Sequence, residues 1–138
     1  MKVIKDYPPN YEDIVEAIPS VADNKNVVFA YGDKIYAPRV KGKVRKDVRV
    51  HEEQHMRQQG DDPESWWARY LDDVEFRLSQ EIDAYRKQYV YYVKKNHDVR
   101  KREDFLRGIT KTLSGELYDN MITQKQALDL IVGLDIQV

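Results

Sequence analysis

Val44-Arg45-Lys46-Asp47-Val48-Arg49-Val50-His51-Glu52-Glu53-Gln54-His55-Met56-Arg57-Gln58-Gln59-Gly60 separates Val44, Val48, His51 and His55 by four, three and four residues. That is the period of one helix face. Both histidines therefore extend an apolar stripe, and Gly60 is a natural C-terminal stop. At i and i+4 the two imidazoles leave adjacent turns in the same direction, so that two ring nitrogens can reach one ion. Glu52 is turned about 100° from His51 and flanks such an ion instead of ligating it. A general base stands there when it takes a proton from water that a metal has made acidic. Glu53 points to the opposite side and is expected to be solvated.

Downstream, Asp62 followed by Pro63 reads as a cap and first turn of a second, long helix. Along it Trp67, Leu71, Val74, Leu78, Glu81, Tyr85 and Tyr89 recur at intervals of four or three, which puts a carboxylate in the middle of an apolar face. A lone buried carboxylate needs a partner, and catalytic zinc sites use three protein ligands with one position left open. Glu81 is accordingly the candidate third ligand, the turn from Gly60 to Pro63 folding its helix back against the first. Asp73, Glu75 and Asp83 fall off the stripe, and His97 sits among Lys, Asn and Asp in a polar break. Trp66, Trp67 and Tyr70 read as core, and Tyr85 either packs or hydrogen-bonds a ligand. Val90 to Val93 fits strand or helix. Glu103 to Leu113 reads as a helix. A last one follows the capping box of Thr123 and Gln126, with Ala127, Leu128, Ile131 and Val132 inward and Gly133 at its end.

Upstream, Val27 to Tyr31 and Lys34 to Ala37 read as two strands joined by Gly32-Asp33, a pair suited to a tight hairpin. A short helix from Tyr11 to Ile18, with Asn10 as its cap and Pro19 at its end, precedes them. Arg39, Lys41, Lys43, Arg45 and Lys46 form a basic linker into the histidine helix.

The 138 residues suit one compact domain, 1–138, large enough for a core of its own. With 23 Lys and Arg against 24 Asp and Glu, no whole-chain charge draws the protein to nucleic acid or an anionic membrane. The run of Lys94, Lys95, Arg100, Lys101 and Arg102 is diluted by Asp98, Glu103 and Asp104 and reads as a solvated turn. Absence of cysteine removes disulfides and thiolate chemistry, leaving His and carboxylates as the strong metal ligands. No apolar run matches a membrane span, and the charged start Met1 to Asp6 does not suit a signal peptide. The expectation is a cytoplasmic protein.

His51-Glu52-Glu53-Gln54-His55 with Glu81 resembles the gluzincin branch of the zincin metallopeptidases, which pairs such a helix with a downstream helical glutamate. More narrowly, Trp66 to Tyr70, Phe76 to Tyr85 and Leu113 to Tyr118 look like segments of small metallopeptidases encoded by phages and prophages, a likeness running from about Val27 to Ile131. The resemblance implies Zn2+ held by His51, His55 and Glu81, Glu52 as catalytic base, and a hairpin edge along which an extended peptide substrate could pair. The fold expected is α+β and zincin-like, a small hairpin or sheet beside a mainly helical body carrying the metal helix. The function expected is hydrolysis of peptide or related amide bonds. The competing readings are a non-enzymatic zinc protein of phage assembly or host interaction, and a charged helix whose histidines cap a core edge without metal.

Overall fold

A computed structural model describes residues 2–136. The described chain divides into two compact units between Asp73 and Val74.

The first unit contains strand β1 (Lys2–Ile4), helix α1 (Tyr11–Ala17), a 3-10 turn (Pro19–Asp23), strands β2 (Phe29–Tyr31) and β3 (Lys34–Tyr36), and helices α2 (Lys46–Gln59) and α3 (Pro63–Asp72). The predicted hairpin is present, with Ala30 opposite Ile35 in an antiparallel register. Gly32 takes a φ of +65° in the turn, a conformation that its missing Cβ makes inexpensive. The sequence reading lacks β1, which pairs in parallel with β3 and makes the sheet three-stranded in the order β1-β3-β2. Three residues show no period, and their partner lies far along the chain. Ile14, Ile35, Ala37 and Val44 are buried in this unit. Asn10 occupies the cap position of α1, but its side chain makes no capping bond.

Around this core, side chains tie the loops by their backbone oxygens. Lys5 Nζ donates to the carbonyls of Val40 and Gly42, and the Arg39 guanidinium donates to those of Val21, Ala22 and Asn24 at the end of the 3-10 turn. The basic linker is thus partly structural. Asp62 caps α3 by accepting from the Ser65 N–H at 3.0 Å. Those bonds from Ser65 hold its carboxyl below the usual carboxylate range.

The long second helix is two helices, since Asp73 interrupts it with extended backbone (φ −118°, ψ 103°). Aspartate's short side chain competes with the helical backbone, which makes Asp72-Asp73 a weak point. The apolar spacing of Trp67, Leu71 and Val74 runs across the break, so it gives no sign of it.

The second unit holds α4 (Val74–Lys95), α5 (Val99–Leu113), a 3-10 turn (Glu116–Tyr118) and α6 (Gln124–Ile136). Val90 to Val93 are helical, and α5 begins four residues before its predicted start because Asp98 caps it, accepting from the N–H of Arg100 at 2.9 Å. Arg102 in its first turn donates to the carbonyls of Val93 and Asn96, so the basic run also caps α4. Leu78, Ile109, Leu113, Tyr118, Ala127 and Ile131 form the core. The capping box is made in both directions, Thr123 N–H to Gln126 Oε1 at 2.8 Å and Gln126 N–H to Thr123 Oγ1 at 3.0 Å. Two details of α6 differ from expectation: Leu128 is exposed, and the helix continues through Gly133 to Ile136. Glycine costs a helix only about 1 kcal/mol relative to alanine, too little to force an end.

The described architecture is α+β, a small mixed sheet with six helices. No helix among the described residues is long and apolar enough to cross a membrane.

Candidate metal centre

Helix α2 forms where the spacing predicts, and its buried residues are Asp47, His51, Glu52, His55 and Gln59. A helix face this polar is costly to bury unless its groups find partners. Arg45 supplies one, donating to both oxygens of Asp47 at 3.0 and 2.8 Å. The imidazoles of His51 and His55 lie edge to face, with ring centroids 4.8 Å apart. This is the outcome of the i, i+4 spacing.

His51, His55 and Glu81 are all buried, and each offers one ligand atom within 4.8 Å of the others. They lie close enough to bind one metal ion. Glu52 Oε2 is 3.9 Å from His51 Nε2, so that the carboxylate is a close neighbour of this nitrogen. At His55, Nδ1 is 2.7 Å from Gln58 Oε1. Exposures of 7% for His51, 7% for Glu52, 5% for His55 and 7% for Glu81 place all four out of bulk water, where electrostatic interactions gain strength.

An aromatic wall stands beside His55. Its ring centroid is 5.2 Å from that of Trp66 and 6.4 Å from that of Tyr70, which stack on each other at 5.0 Å. These rings are buried, as read from their helical spacing. Trp67 has a separate task, donating its indole N–H to the Ala30 carbonyl at 3.0 Å. Gln59 Nε2 donates to the same oxygen at 2.7 Å while its Oε1 accepts from the Gly32 N–H at 2.8 Å. Both lone pairs of the Ala30 carbonyl are therefore engaged. The hairpin edge expected to receive a peptide is closed at Ala30.

Glu81 is buried as expected, but for a different reason. The apolar stripe of α4 that packs into its own core is Val74, Leu78, Ile82, Tyr85 and Tyr89. Three residues on from Leu78, Glu81 is turned about 60° off that line. It shares this flank with Ala84 and Gln88, both buried.

Among the described residues the alternative ligands are not in that group: Glu75 and His97 are exposed, and Asp73 and Asp83 are half-buried and paired with Arg69 and Arg86. Glu53 is half-buried rather than solvated. Three glutamines went unread in the sequence, Gln58, Gln59 and Gln88. For Gln58 a signal existed, because three residues after His55 is a neighbouring position on the helix surface.

No protein-family model matches the chain, and neither a curated protein nor a solved structure is found to match it.

Proposed function

We propose that the chain is a zinc-dependent hydrolase of the gluzincin type, acting on peptide or related amide bonds. The carrying observation is the grouping of three buried ligand residues, their atoms within 4.8 Å of one another, with a buried carboxylate 3.9 Å from His51 Nε2. Two imidazoles and one carboxylate suit zinc and leave a coordination position open. When bound, zinc supplies Lewis acidity, polarising a carbonyl and bringing the pKa of water toward about 7. His51, His55 and Glu81 hold the ion. Glu52 takes the proton from the attacking water and passes it to the leaving amine. Trp66 and Tyr70 shield the His55 side from solvent. The substrate class is a peptide or protein, and nucleic acid and membrane are not assigned as partners.

The test is the zinc content of purified protein beside His51→Ala and Glu81→Ala. The reading expects about one ion per chain in the wild type, as a single mononuclear site requires, and loss of affinity in both variants. Wild-type affinity in Glu81→Ala removes Glu81 from the ligand set, and a wild-type chain that takes no zinc ends the reading.

A second reading, a non-enzymatic zinc protein of phage assembly or host interaction, is favoured by two observations. The four site residues are buried to 7% exposure or less, and the Ala30 carbonyl is already occupied. Glu52→Gln separates the two readings. Hydrolysis of a peptide library by the wild type alone, with zinc retained in both, supports the enzyme, whereas zinc binding without hydrolysis in either supports the second reading.

A further inference from the structure

We infer that the cations where the chain enters α2 form a docking surface for an acidic stretch of a partner polypeptide. The inference stands apart from the metal reading. From Arg39 to Arg49 six cationic side chains meet one carboxylate, Asp47. Two of the six are committed within the fold, Arg39 to the carbonyls of Val21, Ala22 and Asn24 and Arg45 to Asp47. Lys41, Lys43, Lys46 and Arg49 are left over. None of these four makes an ion pair or a side-chain hydrogen bond with another described residue, and the three lysines are exposed.

Their placement works against the fold taken alone. Cations near a helix N-terminus face the positive end of its macrodipole, and α2 starts there without a side-chain cap. Lys46 and Arg49 are moreover like charges at neighbouring positions of the helix surface. An incoming carboxylate relieves each of these. The surface is also held ready, because Lys5 Nζ binds the carbonyls of Val40 and Gly42 on either side of Lys41, and backbone fixed beforehand lowers the ordering cost of binding. Lys41 and Lys46 are at most about 18 Å apart along the chain, a span that a short extended peptide covers.

The same charges decide the class of partner. Outside this segment the chain carries 17 cationic against 23 anionic side chains, a field that opposes the long phosphate run of a nucleic acid. Val40, Gly42, Val44 and Val48, interleaved with the cations, offer no ring on which a base could stack. A peptide with a few adjacent Asp or Glu residues matches the patch and ends before it meets the negative remainder.

The experiment is fluorescence anisotropy of a labelled peptide of about six Asp and Glu residues, titrated with the intact chain. Binding should fall as salt is added, and the Asn and Gln counterpart of the peptide should bind far more weakly. Lys41→Gln, Lys43→Gln and Lys46→Gln should each weaken the complex about two- to five-fold, and the losses should multiply in the triple variant. Lys46→Gln should unfold at the wild-type Tm or above, since it takes a cation from the helix N-terminus. Equal binding of the two peptides overturns the inference, as does wild-type binding by the triple variant or tighter capture of a short DNA duplex. A lower Tm for Lys46→Gln overturns it too, because the cation then serves the fold.

Discussion

Glu52 and His51 are consecutive on α2, and Glu52 Oε2 stands 3.9 Å from His51 Nε2 with both side chains less than one-tenth exposed. The neighbouring Glu53 is turned about a further 100° around the helix. The two glutamates should therefore separate cleanly. Glu52→Gln keeps the shape but cannot take a proton, and should lower kcat by about 10²- to 10⁴-fold while zinc content stays at the wild-type level. Glu53→Gln should leave both unchanged. Steady-state kinetics on a peptide substrate with parallel metal analysis reads the difference, and the reverse pattern removes Glu52 as the base.

Zinc should also act as a stabilising ligand. A ligand that binds only the folded chain stabilises it by about 2.7 kcal/mol at 100 times Kd, which at this chain length amounts to several degrees in Tm. Thermal unfolding should shift upward with added zinc and return on chelation. His55→Ala should show no shift, and one as large as the wild type's would place the ion elsewhere.

Removing the Gln59 amide takes the acceptor from the Gly32 N–H and leaves the Ala30 carbonyl with one donor, Trp67, in place of two. Gln59→Ala should cost about 1–3 kcal/mol, the usual penalty for leaving buried polar groups unsatisfied. Urea unfolding gives the magnitude, and hydrogen exchange at Gly32 should quicken selectively. Exchange that stays slow at Gly32 would show that the clamp does not hold the turn.

Asp62 supplies a pH dependence with a definite sign. Its bonds from Ser65 hold the folded carboxyl below the ordinary value of 3.8. A group depressed in this way stabilises the fold fully above its unfolded pKa, and the contribution disappears as pH falls through the lower, folded value. Asp62→Asn keeps a capping oxygen without the charge. The Tm difference between wild type and this variant should be constant from neutral pH to about 4, then shrink as acid is added. A difference that persists unchanged to about pH 2 would show that the charge contributes nothing.

The hairpin and α2 were legible because each has a strong local signal, Gly32-Asp33 between two apolar runs and the four-three-four spacing through His55. The pairing of His51 with His55 came with that spacing. The break at Asp73 was illegible because the apolar period continues across it, and the same false continuity put Glu81 in the centre of a stripe when it lies on the flank. Strand β1 depends on a partner about 30 residues away, which no local period encodes. The glutamines carry no hydropathy signal, and the i+3 spacing of Gln58 from His55 was the one local sign of any of them. The contact of Gln59 with a strand is visible only in the fold.

The doubly occupied carbonyl of Ala30 bears on solubility as well as on access. In the order β1-β3-β2 the strand β2 is an edge, and an edge with free backbone groups is a template on which another copy of the same strand can grow. Gln59 and Trp67 take up the central carbonyl of a three-residue strand. Two side chains from neighbouring helices thereby keep one hairpin from recruiting another, and weakening either one should first be visible as aggregation of freshly made protein.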